Sequence, residues 1–85
     1  MAEEVLVEIR RVVRDELGLG VVPQPEHDLL LDLQLDSVSL LTLAVALEDR
    51  FRVKLHDEDA ARVRTVSDLV RLVEGRRDEA RPSAG

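Results

Sequence analysis

The fold is decided by residues 32–51, which read DLQLDSVSLLTLAVALEDRF. Within this stretch, the residues after Asp36 predict a helix from Ser37 to about Arg50. Asp is a favoured N-cap because its carboxylate accepts hydrogen bonds from the free N–H groups of the first helical turn. One apolar stripe recurs along this helix at helical spacing: Leu40, Ala44, Leu47 and Phe51.

This helix is apolar around most of its circumference. Outside the stripe it contains five further apolar residues: Val38, Leu41, Leu43, Val45 and Ala46. A helix in a small bundle buries only one face. The surplus predicts either a loop that covers the helix or an apolar surface that is kept for a ligand or a partner.

The segment before this helix predicts another helix and a long loop. Apolar residues at helical spacing indicate an amphipathic helix from Ala2 to Leu17, and Gly18 supplies a stop signal. The connection from Gly18 to about Leu35 contains two prolines, which disfavour a strand. We expect four leucines in this loop to pack back onto the core: Leu29, Leu30, Leu31 and Leu33.

The segment after it predicts a minor helix and a last helix. Residues 56–61 predict one helical turn capped by Asp57, and Thr65 followed by Asp68 fits the capping-box pattern. The last helix is expected to end near Gly75. We therefore predict an all-α fold, a small three- to four-helix bundle with a long first loop. Residues 1–75 would form the domain, and residues 76–85 a disordered C-terminal tail.

Composition excludes several classes of function. The 85 residues include no Cys and only two His, so we expect no thiolate chemistry and no metal site. A net charge of −6 and a single aromatic residue argue against a nucleic-acid partner. No apolar run approaches the roughly 18 to 20 residues of a membrane span, and the N-terminus is acidic, unlike that of a signal peptide. We expect a cytoplasmic protein with no membrane partner.

Ser37 is the candidate for covalent chemistry. As the first helical residue, it would expose its hydroxyl at the positive end of the helix dipole. A phosphate esterified there would be stabilised by the dipole and by nearby free N–H groups. Asp-Ser is also an ordinary N-terminal pair of a helix, so the dipeptide alone does not distinguish a modified serine from a structural one.

Further motifs accompany this serine along most of the chain. They are Asp32-Leu33-x-x-Asp36-Ser37, Ala46-Leu47-Glu48-Asp49-x-Phe51, Asp57-Glu58, and Thr65-Val66 at the start of the last helix. Together they resemble the acyl carrier protein family, from the first helix to Leu72 or Val73. The resemblance implies a 4′-phosphopantetheine arm on Ser37, which a phosphopantetheinyl transferase attaches from coenzyme A with magnesium. Acyl groups would travel as thioesters on the thiol of the arm, and the protein itself would not be an enzyme.

The resemblance also implies a surface for partner enzymes along the second helix and the acidic loop after it. Asp36 would support the transferase and its metal at Ser37, in addition to capping the helix. The partners would be the transferase and an acyltransferase, ketosynthase or related biosynthetic enzyme, with the carrier as a monomer. The partner-facing residues would be Val38, Leu41, Glu48, Asp49, Asp57, Glu58 and Asp59.

Five positions depart from the fatty-acid type of this family. Gln34 stands where Gly is usual, Ser39 and Thr42 stand where acids are common, and Arg50 and Arg52 add positive charge. These departures leave the modification site intact. They favour a discrete carrier from a specialised pathway, such as polyketide or related secondary metabolism.

Three alternatives stay open. An aminoacyl or peptidyl carrier would share the fold, although such carriers often have His where this chain has Asp36. An unmodified helical interaction module would also share the fold and the acidic surface. A hydrolase that uses Ser37 is disfavoured because no Gly-x-Ser-x-Gly elbow surrounds it. His27 and His56 are more simply interpreted as surface or capping residues.

Overall fold

The computed structural model describes residues 2–80 and contains four α-helices in that range. They are α1 (Ala2–Arg11), α2 (Ser37–Phe51), α3 (Asp57–Ala60) and α4 (Val66–Ala80), and a π-helical turn (Val12–Glu16) continues α1. Within residues 2–80 no strand forms, and the one β-bridge is isolated. The predicted all-α bundle, with its long first loop and minor third helix, is confirmed.

The three long helices enclose an aliphatic core. Helix α1 packs against both α4 and α2, and α2 also contacts α4. Each long helix turns a stripe of Val, Leu or Ile toward the centre, as the periodicity of the sequence predicts. The innermost side chains are Val5, Ile9, Leu43, Leu47, Val66 and Val73.

The first helix changes its hydrogen-bonding pattern before it ends. It is α-helical only to Arg11, and in the π-helical turn the Leu17 N–H donates to the carbonyl of Val12 at 2.9 Å. The chain then leaves the helix at Gly18, whose φ is +67°. This left-handed conformation favours glycine, so the stop signal was assigned correctly.

Asp28 organises a turn in the first loop together with Asp32, whose Oδ2 accepts a hydrogen bond from the Asp28 N–H at 2.7 Å. The Asp28 carboxylate oxygen Oδ1 accepts hydrogen bonds from the N–H groups of Leu30 and Leu31 at 2.9 and 2.8 Å. The resulting turn buries Leu29 and Leu33 but leaves Leu30 and Leu31 exposed. The expected packing of four leucines is therefore correct for two and wrong for the two that lie within the turn.

The same loop is fastened to the start of α4. The Leu29 N–H donates to the Arg64 carbonyl at 2.9 Å, and the Val66 N–H donates to the His27 carbonyl at 2.9 Å. The Arg64 guanidinium also pairs with Asp28 at 3.1 Å. These contacts fix the position of the loop relative to α4.

Helix α4 continues beyond the end that the sequence predicts. It passes Gly75 and is helical as far as Ala80, the last residue that the structure describes, so the predicted end was wrong. Residues 76–80, the first part of the predicted tail, are helical. Residues 81–85 lie outside the described residues, and the assignment of a carrier domain to residues 1–75 otherwise stays a prediction.

Contacts from two arginines explain this extension. Arg76 donates to the Lys54 carbonyl at 2.9 Å, which ties the helix to the connection after α2. The Arg77 guanidinium lies 4.9 Å from the centre of the Phe51 ring and 3.5 Å from Glu4 of α1. A cation over an aromatic face is attractive, so α4 gains tertiary contacts in its last part, where its own sequence contains few apolar residues.

Candidate functional site

Ser37 begins α2 and is exposed. Asp36 has an extended backbone and caps the helix as predicted, with its Oδ1 accepting a hydrogen bond from the Ser39 N–H at 2.7 Å. This hydrogen bond lowers the pKa of the Asp36 carboxyl, so the cap is ionised at neutral pH. The Asp36 carboxylate is thus engaged with the first turn while the neighbouring hydroxyl faces solvent.

Buried residues before Ser37 hold it in place. Leu33 and Leu35 are both buried, and the Leu35 N–H donates to the Leu29 carbonyl at 3.0 Å. Gln34 lies between them with φ at +57°, a conformation that glycine adopts most easily. The resemblance implies Gly at this position, and the left-handed backbone gives a physical reason for that expectation.

One face of α2 presents apolar side chains to solvent. Val38 is 72% exposed, Leu41 64% and Val45 44%. Val38 and Leu41 were predicted to face partners, whereas Val45 was missed as a site residue although it continues the same i, i+3, i+7 spacing. Some of the apolar residues of α2 thus form a solvent-exposed stripe that begins next to Ser37.

Another face of α2 forms the wall of a cleft of about 540 Å³. Leu40, which lies one helical turn beyond Ser37, lines it together with Leu43 and Ala44. Leu29 of the first loop and Val63 before α4 contribute further apolar surface. An aliphatic cleft of this kind accommodates an apolar ligand. The sequence predicted a possible apolar surface but not the residues outside α2 that complete it.

The predicted acidic residues divide into exposed and engaged groups. Asp49, Asp57 and Glu58 are exposed. Glu48 is half-buried, and its Oε2 accepts a hydrogen bond from the Leu55 N–H at 2.8 Å. Glu48 therefore also holds the connection between α2 and α3.

Asp59 does not belong to the exposed acidic surface, contrary to the prediction. It is only 6% exposed, its carboxylate accepts a hydrogen bond from the His56 N–H at 2.8 Å, and it pairs with Arg76 at 2.9 Å. The hydrogen bond from His56 is the main reason why the pKa of Asp59 is lowered. The N-cap of α3 is accordingly His56, not Asp57 as predicted.

The described residues, 2–80, also bear on metal binding, on His27 and on membrane spanning. No group of three or more His, Asp or Glu side chains there is arranged to hold a metal ion. His27 stabilises a turn of the first loop, since its Nδ1 accepts a hydrogen bond from the Gln24 N–H at 3.0 Å, and it caps none of the described helices. None of the described helices is long and apolar enough to cross a membrane.

Known proteins resemble this chain both in sequence and in fold. A family model described as "Phosphopantetheine attachment site" matches residues 7–73. An acyl carrier protein of Micrococcus luteus is 39% identical over 74 residues, which cover 86% of this chain and 91% of the relative. The meromycolate extension acyl carrier protein of Mycobacterium tuberculosis is 35% identical over 83 residues, covering 96% of this chain and 71% of the relative.

Among solved structures, the acyl carrier protein of Thermotoga maritima matches with a TM-score of 0.81 and 23% identity, and 94% of each chain is covered. This likeness supports the fold, and the family match and the curated relatives support the function. The resemblance inferred from the sequence is therefore confirmed, as is the prediction that the chain is not an enzyme. The chain belongs to the acyl carrier protein family, the non-catalytic proteins that carry acyl groups on a covalently attached 4′-phosphopantetheine.

Proposed function

We propose that Ser37 is the residue to which the 4′-phosphopantetheine is attached. The observation that supports this proposal is the exposed hydroxyl on the first residue of α2, directly after the capping Asp36. The N–H groups of Ser37 and Val38 belong to the first turn, where a helix offers no carbonyl partner. They and the helix dipole favour the negative charge of a phosphodiester at this position, so the local residues fit the group.

We assign Asp36 a second role in this modification. Its carboxylate orders the first turn through Ser39 and brings a negative charge next to Ser37. A carboxylate is a suitable neighbour for the magnesium that the transferase uses. The arm, once attached, supplies the thiol that a chain without Cys lacks.

Partner enzymes are proposed to dock on the exposed side of α2 and on the turn that follows it. The apolar stripe of Val38, Leu41 and Val45 supplies contact area, and the exposed acids Asp49, Asp57 and Glu58 supply negative charge. Such an arrangement favours enzymes with a basic docking surface, because complementary charge raises the association rate. The proposed acidic members are Glu48, Asp49, Asp57 and Glu58, without the buried Asp59.

The cargo is proposed to be an acyl chain, and the cleft beside α2 its shelter. Leu40, Leu43 and Ala44 present aliphatic surface one to two turns from the attachment point. This surface suits an acyl chain better than a charged aminoacyl group, since burying an unpaired charge is costly. An aminoacyl or peptidyl cargo is the competing outcome of a loading assay.

We further propose that this is a monomeric carrier of the cytoplasm, dedicated to polyketide or related secondary metabolism. Its partners would be a phosphopantetheinyl transferase and an acyltransferase, ketosynthase or related enzyme. The support comes from Gln34, Ser39, Thr42 and Arg50, which change the charge and shape of the surface around α2. Loading of the thiol with malonyl, longer acyl and aminoacyl donors in parallel tests the cargo and hence the type of pathway.

The decisive experiment is intact-protein mass spectrometry after incubation with coenzyme A, magnesium and a broad-specificity phosphopantetheinyl transferase. We expect the wild type to gain one phosphopantetheinyl group on Ser37 and the Ser37→Ala variant to gain none while remaining folded. Ser67→Ala is the control, because it removes a hydroxyl from the first turn of another helix, α4, and should be modified normally.

Two results would contradict this proposal. A modified Ser37→Ala variant would move the attachment point elsewhere in the chain. An unmodified wild type, with a known carrier modified in parallel, would favour the unmodified interaction module.

A further inference from the structure

Three described residues have a left-handed backbone. They are Gly18, Gln34 and Arg52, with φ values of +67°, +57° and +56°. Residues with a Cβ are disfavoured in this conformation, and glycine is not. The chain thus uses glycine after its first helix but places long polar residues on either side of α2.

Arg52 has a structural reason for its position. It is the C-cap of α2, and its N–H donates to the carbonyl of Glu48. A left-handed residue is common at this point of a helix, and a cation interacts favourably with the negative end of the helix dipole. The strain at Arg52 is therefore offset within the fold.

The left-handed backbone of Gln34 has no such structural reason. Its side chain is exposed, and its carboxamide makes no hydrogen bond with any residue that the structure describes between positions 2 and 80. It bears no charge that could interact with the dipole of α2. A disfavoured conformation without an intramolecular gain is a common mark of a position that serves an external contact.

The location of Gln34 indicates which contact this is. It precedes Ser37 by three residues, and its neighbours Leu33 and Leu35 are both buried. The backbone that bears the carboxamide is therefore held in a fixed relation to Ser37. An enzyme that binds around Ser37 contacts this amide, which offers both a hydrogen-bond donor and a hydrogen-bond acceptor.

We propose that Gln34 is a specificity-determining residue whose carboxamide hydrogen-bonds the phosphopantetheinyl transferase while that enzyme modifies Ser37. The proposal rests on the proposed attachment at Ser37. A contact of this kind helps the enzyme to hold the carrier without taking part in phosphoryl transfer. Its loss should therefore raise the KM for the carrier and leave kcat unchanged.

The test compares the modification kinetics of the wild type with those of Gln34→Gly, Gln34→Asn and Arg52→Gly. The broad-specificity transferase is used in about 0.3 M salt, where long-range charge effects are screened. We expect Gln34→Gly to lower kcat/KM by about 3- to 10-fold through KM, the range for loss of one neutral hydrogen bond. Gln34→Asn tolerates the left-handed backbone and should recover part of the loss.

Arg52→Gly is the matched control. It removes a long side chain and relieves the same backbone conformation at the other end of α2, so its kcat/KM should stay within about twofold of the wild type. Thermal unfolding should show both glycine variants to be at least as stable as the wild type.

The inference is overturned by an unchanged kcat/KM in Gln34→Gly. It is also overturned by a fall in kcat at constant KM, which would place the amide on the phosphoryl group rather than on the enzyme. Loss of thermal stability in both Gln34 variants, in parallel with the change in KM, would give Gln34 a structural role instead. Failure of the proposed function is distinct, because then no variant and no wild type would gain an adduct at Ser37.

Discussion

The carboxylates of Asp36 and Asp59 make the same kind of hydrogen bond but have different roles. Each accepts a hydrogen bond from a backbone N–H three residues away, and the pKa of each is lowered mainly by that hydrogen bond. Asp36 is exposed beside Ser37, whereas Asp59 is buried and paired with Arg76. The first is available to an enzyme that approaches Ser37, and the second only stabilises the fold.

The cap at Asp36 should make stability depend on pH. Because the pKa of this carboxyl is lower in the folded protein than its ordinary value of 3.8, its ionised form stabilises the fold above that pH. The contribution is lost as the pH falls through the lowered value. We expect Asp36→Ala to lower Tm at pH 7 and the difference from the wild type to narrow below about pH 4, as measured by circular dichroism.

Other aspartates with lowered pKa values are present in both proteins of this comparison, so they do not change the difference: Asp15, Asp28, Asp59 and Asp68. If the Tm difference were the same at pH 7 and at acid pH, the ionised carboxylate would not be the source of the capping energy.

At the scale of the helices, local signals could be predicted from the sequence and distant contacts could not. The capping box was predicted because its residues are close in the chain, and Thr65 and Asp68 exchange hydrogen bonds of 3.1 Å. The burial of Asp59 depends on Arg76, and the extension of α4 depends on Arg77 meeting Phe51. Such partners lie many residues apart, and no local pattern indicates them.

In the candidate site, too, local features could be predicted from the sequence and distant contacts could not. The position of Ser37 follows from the local motif and from the cap at Asp36. The cleft does not, because α2, the first loop and the segment before α4 each supply part of its wall. Val45 is an intermediate case, since helical spacing places it beside Leu41 but only the packing of α2 shows that it is exposed.

Because Asp49 is exposed on the proposed partner surface, its charge should affect the rate of Ser37 modification in a salt-dependent way. We expect Asp49→Lys to slow modification of Ser37 several-fold at low salt, and the effect to shrink at high salt as the charges are screened. Stability should be unchanged because the side chain is exposed. The measurement is the rate of modification by the transferase at two ionic strengths.

Two further variants make this test specific. Glu26→Lys changes the net charge equally at an exposed position outside the proposed partner surface, and it should have a smaller effect. Glu48→Lys should also lower Tm, since the Leu55 N–H loses its acceptor. Equal rates for Asp49→Lys and the wild type at both ionic strengths would remove Asp49 from the partner surface.

At the scale of the whole molecule, the cleft is built so that an occupant contacts several parts of the fold at once. The first loop is tied to the start of α4 by backbone hydrogen bonds and by the pair between Arg64 and Asp28. Opposite them lies the wall formed by α2. A chain bound between these elements buries apolar surface only in the folded state, so binding should stabilise the fold.

An octanoyl group on the arm should therefore raise Tm relative to the protein that carries the arm alone. A net gain of only about 1 kcal/mol would raise Tm by about 4–8 °C in a domain of this size. Ala44→Phe places a ring in the cleft and should abolish the increase, whereas Val45→Phe, on the exposed stripe, should retain it. An equal increase in both variants, or none in the wild type, would show that the acyl chain lies outside the cleft.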